Sequence, residues 1–455
     1  MSKVIAAIST PVSPAGLGVI RVSGDGAIAL AEQVFRPLAA SRRLTMLGGY
    51  RAAYGHVFDA DGEIDECVAT VFRAPHSYTG EDVVEFSCHG GVYLLQRTLR
   101  ALLSAGAVAA EAGEFTRRAF LNGKIDLTRA EAVMDLIAAE GRLAAKTALA
   151  TREGAVFRAL APVKEALIDL QAQIAAFVDY PDDDIPELAP EALEAALVNA
   201  DAVLTRLLET YDAGHILRNG VDTVIVGSPN VGKSTLMNCL AGCDRSIVTS
   251  VAGTTRDVVE DSVRVGELTL RLSDTAGIRE TDDEVEAIGV ERSRKRLETA
   301  ALVLAVFDHS RPLSQDDLDL IDSLPRETTI AIINKQDTVK KIDETVVTDA
   351  FRHIVWMEAA NGVGKEELTA AIAEVTGLYR LDEAEPLLAT ERQRDCVRRA
   401  QAALTEALDA VRAGLSQDAV AVSVDGALSA LLELTGERAT EAVVDGIFAR
   451  FCVGK

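Results

Sequence analysis

The sequence predicts a multidomain fold with α/β and all-α parts: a mixed α/β N-terminal domain, a helical domain, and a phosphate-loop α/β domain inserted into the helical one. Three observations support this prediction. Short apolar runs separated by turn residues occupy residues 1–120. From Leu127 onward, apolar residues recur at helical spacing. A complete phosphate-loop motif lies between two such helical stretches.

Composition places the chain among acidic globular proteins. Its 455 residues are enough for about two or three domains. The 46 basic and 70 acidic residues give a net charge of −24, which argues against broad, nonspecific binding of nucleic acid. Six scattered cysteines favour a reduced, cytoplasmic compartment. No signal peptide and no membrane association are expected, because no run approaches the roughly 18 apolar residues of a membrane span.

Alternating and continuous apolar runs predict the elements of the N-terminal domain. The predicted strands are Val4–Ile8, Gly18–Val22, Cys67–Phe72 and Val83–Cys88, and the predicted helices are Ala27–Phe35 and Val92–Leu103. This part of the chain shows no phosphate-loop or catalytic-triad pattern. Its residues alone therefore assign it no function.

Helical stripes predict a bundle over residues 121–216 and 381–455, with the phosphate-loop domain at 217–380 between them. The stripes are Val163, Leu167, Leu170, Ile174 and Phe177; Leu193, Leu197, Ala200, Leu204, Leu207 and Tyr211; and Ala400, Leu404, Leu408 and Val411. The proline-containing stretch 180–186 is expected to break the first helix. We interpret these stripes as a bundle core rather than a cofactor site.

The phosphate loop runs from Gly227 to Thr235 with the sequence GSPNVGKST. The buried strand Val224–Val226 precedes it, and helically spaced apolar residues follow it. Strand, loop and helix form a cradle of backbone N–H groups for an anion. Lys233 is expected to reach the β- and γ-phosphates, and the Ser234 hydroxyl is expected to bind Mg²⁺.

Three further stretches complete the predicted nucleotide site, and the last of them predicts guanine as the base. The motif Asp274-Thr275-Ala276-Gly277 follows an alternating strand, so its aspartate can hold a metal ion and the Gly277 N–H can contact the γ-phosphate. The segment Gly253–Asp257 is expected to be a switch that closes over the metal. Asn334-Lys335-Gln336-Asp337 follows a β-branched run. The Asp337 carboxylate can accept hydrogen bonds from guanine N1–H and its amino group, which adenine cannot offer. The N–H of Ala359, after Glu358, is expected to contact guanine O6.

The residues that catalyse hydrolysis are harder to identify, because Ile278 stands where many small GTPases have a water-orienting glutamine. Two substitutes are visible. The Asn230 side chain can coordinate a monovalent cation beside the phosphates, which would supply the positive charge of an arginine finger. Either Glu284 or Glu286 can orient water, although a glutamate in an acidic run is more often part of a solvated face.

Five stretches make the chain resemble one family over nearly its whole length, the tRNA-modification GTPases called MnmE or TrmE. They are Gly18–Gly24 (GVIRVSG), Ser77–Glu85 (SYTGEDVVE), His89–Gly91, Gly113–Lys124 (GEFTRRAFLNGK) and Phe451–Lys455 (FCVGK). Val453 stands where the family usually has isoleucine. The resemblance implies a folate-binding, dimerising N-terminal domain that resembles the glycine-cleavage T-protein, a discontinuous helical domain, and an inserted Ras-like GTPase domain.

The resemblance also implies a reaction. The family consists of potassium-activated GTP hydrolases that work with a flavin protein of the MnmG/GidA family, in a heterotetramer whose FAD lies on the partner. Together they add an aminomethyl or carboxymethylaminomethyl group to carbon 5 of the wobble uridine of certain tRNAs. A tetrahydrofolate derivative, 5-formyl- or methylene-tetrahydrofolate, supplies the one-carbon unit. GTP, Mg²⁺ and K⁺ are the implied cofactors of this chain, and a homodimer is its implied state.

Site residues follow from the resemblance position by position. Potassium falls on Asn230, Thr249, Val251 and Thr254, and magnesium on Ser234 and Thr255. Glu286 is the implied water-orienting glutamate, which favours it over Glu284. Folate falls on Arg21, Glu85, Lys124 and Lys455. The full set for GTP is Asn230, Val231, Gly232, Lys233, Ser234, Thr235, Thr249, Ser250, Val251, Ala252, Gly253, Thr254, Thr255, Asp274, Thr275, Ala276, Gly277, Asn334, Lys335, Asp337, Glu358 and Ala359.

Several residues keep alternative interpretations. Cys452 is predicted to take part in chemistry near the folate, with simple docking of the tail as the alternative. His89 is interpreted as structural. The clusters 292–296 and 392–399 suit tRNA phosphates or a solvated helix face equally well.

Two rival functions differ in class from tRNA modification. One is a regulatory GTPase of the ribosome-assembly kind, in which the N-terminal domain is an interaction module. The other is a dimerising scaffold with residual hydrolysis. The N-terminal stretches and the Cys452 tail favour the tRNA-modification hypothesis over the ribosome-assembly kind. The scaffold is motivated by the absent glutamine, and turnover measured in potassium and in sodium distinguishes it.

Overall fold

A computed structural model describes residues 2–39, 42–179, 188–241, 261–272, 300–378 and 385–455. The chain forms two compact units. The first comprises Met1–Met134 with Val422–Lys455, and the second comprises Asp135–Ala421. No helix within these described ranges is both long enough and apolar enough to cross a membrane.

A seven-stranded sheet organises the first unit, in the order β3-β4-β5-β6-β2-β1-β7. Neighbouring strands pair antiparallel except β1 and β7, which are parallel. The strands are β1 Ile5–Ile8, β2 Ala15–Ser23, β3 Phe35–Pro37, β4 Arg51–Asp59, β5 Gly62–Phe72, β6 Val83–Gly90 and β7 Val108–Ala109. All four predicted N-terminal strands are confirmed, as β1, β2, β5 and β6, whereas β3, β4 and β7 were not predicted.

Alternation along the strands separates a core face from an open face. On β6, Val84, Phe86 and Cys88 are buried, while Glu85, Ser87 and His89 alternate with them and are more accessible. The two predicted helices are confirmed as α1 Ala27–Val34 and α2 Val92–Ser104, and both pack against the core face. Among the described residues, this unit also contains α3 Glu114–Leu121, α15 Glu441–Phe448 and a short 3-10 helix, Leu44–Met46.

A six-stranded sheet organises the phosphate-loop part of the second unit, in the order β13-β12-β11-β8-β10-β9. All strands are parallel except β9. They are β8 Val221–Val226, β9 Asp261–Val265, β10 Leu268–Leu272, β11 Leu302–Asp308, β12 Thr329–Asn334 and β13 His353–Met357. Every residue of β11 and β12 is buried, as expected for central parallel strands with both faces covered.

The helices of this part of the second unit cover the two faces of its sheet. They are α9 Lys233–Ala241, α10 Gln315–Ser323, α11 Glu344–Ala350 and α12 Lys365–Val375. Buried clusters lie on both sides of β11, one around Leu304 and Leu236 and the other around Phe307 and Phe351.

Long helices precede and follow this α/β part. They are α4 Leu127–Ala138, α5 Arg142–Arg152, α6 Ala155–Asp179, α7 Pro190–Glu209, α8 Tyr211–Asn219, α13 Glu391–Arg412 and α14 Gln417–Thr435. Helices α7 and α13 pack together, and the Tyr211 hydroxyl donates to the Glu391 carboxylate at 2.6 Å. Helical segments separated by the whole α/β part therefore meet, which confirms that this part is inserted.

Burial confirms most of the predicted stripe positions. Val163, Leu167, Leu170 and Ile174 are buried on α6, and Phe177 is half-buried. Every predicted position from Leu193 to Tyr211 is buried, and so are Ala400, Leu404 and Leu408, whereas Val411 is half-buried. The predicted break at 180–186 lies outside the described residues.

Candidate functional site

The phosphate loop connects the end of β8 to the start of α9. Gly227 and Gly232 have φ angles of 148° and 102°, which favour glycine, and Asn230 has a left-handed φ of 63°. A Cβ atom on Gly232 would lie 2.3 Å from Asn334 Nδ2, and one on Gly227 would lie 2.4 Å from the Val306 carbonyl oxygen. Both glycines of the motif are thus required by close approach as well as by backbone conformation.

Lys233 is held by the loop that precedes it. Its Nζ donates to the carbonyl oxygens of Gly227 at 2.6 Å and Ser228 at 2.9 Å. An ammonium group has three N–H donors, so two loop carbonyls leave one donor for a phosphate. Burial lowers the pKa of Lys233 below its ordinary value. Ser234 and Thr235, in the first turn of α9, are exposed and accessible to a metal ion or phosphate.

Asn334 connects the guanine side of the site to the phosphate side. It ends β12 and is only 3% exposed. Its Nδ2 donates to the Val231 carbonyl at 3.0 Å, and its Oδ1 accepts from the Ala359 N–H at 3.0 Å. One buried side chain therefore fixes the distance between the phosphate loop and the last guanine loop.

Lys335 makes a second connection to the phosphate loop. It has a left-handed φ of 67°, and its Nζ donates to the Asn230 carbonyl at 2.8 Å and to Asp308 Oδ2 at 2.6 Å. Burial alone would raise the pKa of Asp308, but its bonds from Lys335 and Ser310 lower it below the ordinary value. Asp337 is exposed, so its carboxylate is available to a guanine base.

The last guanine loop differs in one detail from the sequence expectation. The Glu358 N–H donates to the Val363 carbonyl at 3.0 Å, and the Glu358 carboxylate accepts from Asn361 Nδ2. The Ala359 N–H was expected to contact guanine O6. In the structure this N–H already donates to Asn334 Oδ1. A contact with O6 would require this N–H to be shared or released, so that assignment stays a prediction.

Two aspartates near the phosphate loop, Asp308 and Asp317, were not predicted from the sequence. Asp308 ends the continuous apolar run 302–307, which is the sequence signal of a buried parallel strand. Asp317 completes the capping pattern Ser314-x-x-Asp317 at the start of α10. Both patterns were available in the sequence, but neither indicates that the aspartate also contacts the nucleotide site.

The predicted folate residues Arg21 and Glu85 lie opposite each other on β2 and β6. Arg21 Nε and Nη2 are each 2.8 Å from Glu85 Oε1. The rings of Tyr78 and Phe115 lie 5.4 Å and 5.5 Å from the Arg21 guanidinium carbon. The side chains of Arg21 and Glu85 remain 14% and 27% exposed, so the pair lines an accessible polar spot beside two aromatic rings.

The C-terminal tail docks against the same spot. The Gly454 carbonyl accepts from Ser9 Oγ at 3.1 Å and from Arg21 Nη1 at 3.3 Å. The Lys455 carbonyl accepts from the Phe115 N–H at 3.1 Å. A Cβ atom on Gly454, whose φ is 94°, would lie 2.5 Å from the Ile8 carbonyl oxygen. The tail therefore approaches β1 as closely as only glycine allows.

The other N-terminal candidates occupy the edges of this region. Lys124 is exposed, and its Nζ donates to the Pro75 carbonyl at 2.9 Å, in the segment that also carries Tyr78. The Cys452 carbonyl accepts from the Gly113 N–H at 3.4 Å, and the Cys452 side chain is exposed. The structure thus brings together Arg21, Glu85 and the tail backbone, with Lys124 on an adjoining segment.

His89 is held by a buried carboxylate. Its Nδ1 lies 2.7 Å from Asp65 Oδ1, and its backbone N–H donates to Asp65 Oδ2 at 2.8 Å. The hydrogen bond and the charge of Asp65 raise the pKa of His89. The ring is nevertheless 64% exposed, whereas Asp65 is buried.

Many predicted residues lie outside the described ranges. They are Thr249, Ser250, Val251, Ala252, Gly253, Thr254, Thr255, Asp274, Thr275, Ala276, Gly277, Ile278, Glu284, Glu286 and the cluster 292–296. The cluster 392–399 lies on α13, where Arg394 pairs with Glu391 at 2.5 Å and Arg399 with Asp395 at 2.9 Å. Both ion pairs are partly exposed, and the choice between tRNA phosphates and a solvated helix face stays open for this cluster.

Family models match both the N-terminal region of the chain and the longer region that follows it. The family model "GTP-binding protein TrmE N-terminus" matches residues 4–124, and the family model "MnmE helical domain" matches residues 127–452. The chain is 39% identical to the tRNA modification GTPase MnmE of Alkaliphilus oremlandii, over 99% of each chain. It is 41% identical to the proteins of that name from Symbiobacterium thermophilum, over 99% of each chain, and Synechococcus sp., over 100% of this chain and 99% of that one.

Proposed function

This chain belongs to the MnmE family of tRNA modification GTPases, and we propose that potassium-activated hydrolysis in its phosphate-loop domain drives folate-dependent modification of the wobble uridine. Membership makes it a GTP hydrolase that acts in tRNA modification. The proposal adds the cation, the one-carbon source, the partner and the residues. One observation supports the part of the proposal that concerns the nucleotide site. Buried Asn334 and half-buried Lys335 both donate hydrogen bonds to carbonyls of the phosphate loop.

The geometry of the nucleotide site supports GTP as its ligand. Lys233 has a donor left for the β- and γ-phosphates, and the exposed Ser234 hydroxyl suits Mg²⁺, with Thr255 as its second proposed protein ligand. Asp337 is accessible to the N1–H and amino group of guanine. Magnesium, when bound, would neutralise charge on the phosphate oxygens.

We assign potassium to Asn230, with Thr249, Val251 and Thr254 completing its shell. Asn230 is exposed, its backbone is left-handed, and its carbonyl is held by Lys335. The side-chain amide oxygen of this exposed residue fits a hard monovalent cation, which would add positive charge next to the phosphates. Glu286 is the proposed residue that orients the attacking water.

We assign the folate to the polar spot at Arg21 and Glu85. A pterin offers N–H donors to a carboxylate, and its glutamate tail offers carboxylates to cations such as Lys124 and Lys455. Tyr78 and Phe115 border the Arg21 guanidinium and provide apolar surface for a flat ring. The folate would supply the one-carbon unit. We propose that Cys452, exposed on the docked tail, takes part in that chemistry.

We propose that the protein works in the cytoplasm as a homodimer with an FAD-containing partner of the MnmG/GidA family. With a net charge of −24, this chain would repel tRNA over most of its surface. A partner that carries part of the affinity for tRNA resolves this difficulty. The described cluster 392–399 offers little unpaired charge, since two of its arginines already pair with carboxylates.

Nucleoside mass spectrometry of tRNA tests the function. A strain that lacks this protein should lose the carbon-5 modification of the wobble uridine, and the wild-type gene should restore it. A matched strain should carry Asp337→Asn, which is expected to abolish guanine binding without disturbing the N-terminal domain. Intact modification in the deletion strain would contradict the proposal and favour a regulatory GTPase of the ribosome-assembly kind.

A further inference from the structure

Asp317 is a buried carboxylate that lies behind the phosphate loop. It is the third residue of α10 and is 1% exposed. Its Oδ1 accepts from the Ser228 hydroxyl at 2.6 Å and from Arg311 Nη2 at 3.1 Å. Its Oδ2 accepts from the Ser314 N–H at 2.9 Å and the Ser314 hydroxyl at 2.8 Å, and lies 2.8 Å from Arg311 Nη1.

This bonding pattern is more than a helix cap requires. The capping box involves only Ser314 and one oxygen of Asp317. The other oxygen bonds to the second residue of the phosphate loop and to Arg311. A buried carboxylate near a triphosphate would repel it, so the pairing with Arg311 is needed to make Asp317 acceptable there.

The Ser228 hydroxyl anchors the phosphate loop to α10 at a position between a glycine and a proline. Gly227 before it is the most permissive residue, and Pro229 after it offers no N–H for a stabilising bond. The carbonyls of Gly227 and Ser228 are the two that hold Lys233 Nζ. Fixing Ser228 therefore fixes the direction in which the remaining Lys233 donor points.

We propose that Asp317 is a positioning residue of the phosphate site: through the Ser228 hydroxyl it holds the carbonyls that orient Lys233 toward the β-phosphate. The inference rests on the proposed assignment of Lys233 to the phosphates. According to this proposal, a residue of α10 contributes to the affinity for the nucleotide, although α10 lies outside every nucleotide motif of the sequence.

Equilibrium binding of a fluorescent GDP analogue to the full-length protein tests the inference. The test variants are Ser228→Ala, Asp317→Asn and the double variant. Ser314→Ala is the control for the helix cap, since it spares the bond to the loop. Asp316→Asn is the control for charge, since Asp316 is an exposed neighbour in the same helical turn. The fluorescence of Trp356, the single tryptophan, monitors folding in every variant.

Each single test variant should raise the Kd for GDP about ten-fold, the usual effect of losing one hydrogen bond to a charged group. The double variant should be no worse than Asp317→Asn, because both changes break one contact chain. GMP lacks the β-phosphate. Its Kd, measured by competition with the fluorescent GDP analogue, should therefore be the same in wild type and variants. The two control variants should bind GDP like wild type.

Three results would overturn the inference alone: unchanged GDP affinity in Ser228→Ala and Asp317→Asn, an equal loss in Ser314→Ala or Asp316→Asn, or an equal loss for GMP. A purely structural role predicts the second and third of these results. If Asp317→Asn fails to fold, Ser228→Ala decides the matter by itself. A wild-type protein without measurable affinity for GDP would instead overturn the nucleotide-site assignment and this inference with it.

Discussion

Asn334 Nδ2 donates to the carbonyl oxygen of Val231 at 3.0 Å, which joins the motif that selects the base to the loop that holds the phosphates. Changing Asn334 to aspartate keeps an acceptor for the Ala359 N–H but replaces this donor with a second oxygen that faces the Val231 carbonyl. We expect the Kd for GDP to rise at least about ten-fold, since a buried carbonyl loses its partner and meets a like charge. Calorimetric titration measures it. The same change at exposed Asn199 is the control, and equal losses at both positions would contradict the argument.

Exchange of Asp337 for asparagine should change the base that is bound. The amide cannot accept from both N1–H and the amino group of guanine, but it can donate to the carbonyl that xanthine carries in place of that amino group. We expect the affinity for GDP to fall about a hundred-fold or more while that for xanthosine diphosphate rises. Competition binding with both nucleotides checks this, with Asp349→Asn as an exposed control. Retained preference for guanine would remove Asp337 from the base site.

GTP hydrolysis should be about ten-fold or more faster in K⁺ than in Na⁺, because the proposed site takes K⁺ in preference to Na⁺ and the bound ion adds one positive charge at the phosphates. The Asn230→Ala variant should lose this difference and retain GDP binding, because its backbone carbonyl still accepts from Lys335. Phosphate release measured at constant ionic strength gives both rates. Glu286→Ala should bind GDP normally and lose turnover in both salts. Equal rates in K⁺ and Na⁺ for the wild type would defeat the cation mechanism.

The Gly454→Ala variant should detach the C-terminal tail, since its Cβ would lie 2.5 Å from the Ile8 carbonyl oxygen and its φ is 94°. We expect weaker binding of a tetrahydrofolate derivative, of similar size to the loss in Arg21→Ala, and unchanged GTP hydrolysis. Fluorescence titration with 5-formyl-tetrahydrofolate measures the affinity. Gly446→Ala is the matched control, because open space surrounds that glycine. If tail detachment left folate affinity intact, the tail would not belong to the folate site.

His89 should titrate above the pKa of about 6.5 of an unperturbed imidazole, because Asp65 stabilises its protonated form. NMR of the His89 ring against pH measures this, and Asp65→Asn should return the pKa toward the ordinary value. The pair's contribution to stability is fully present below about pH 6.5 and is lost as pH rises through the raised pKa. His89→Gln should therefore lower the unfolding midpoint more at about pH 5.5 than at about pH 8.5. A loss of the same size at both pH values would contradict the predicted dependence on the protonation of His89.

Periodicity predicted most elements correctly, because the spacing of apolar residues directly reflects which side of a strand or helix is buried. The stripe from Leu193 to Tyr211 is buried at every predicted position. Strand β4 escaped prediction because Gly55 and His56 interrupt its apolar pattern. Strand β11 has the signal of a buried parallel strand and could have been predicted from its continuous apolar run.

The sequence by itself determined the class of ligand and the order of the parts, because the phosphate-loop motif and Asn334–Asp337 carry their chemistry within a few consecutive residues. Tertiary structure alone decided which distant groups hold those motifs in place. Asp317 meets Ser228 across 89 positions, and the Gly454 carbonyl meets Arg21 across 433. Such contacts depend on how helices and sheets pack, and no local pattern encodes them. The phosphate loop is thus recognisable from its own residues, whereas the aspartate behind it is visible only in the folded chain.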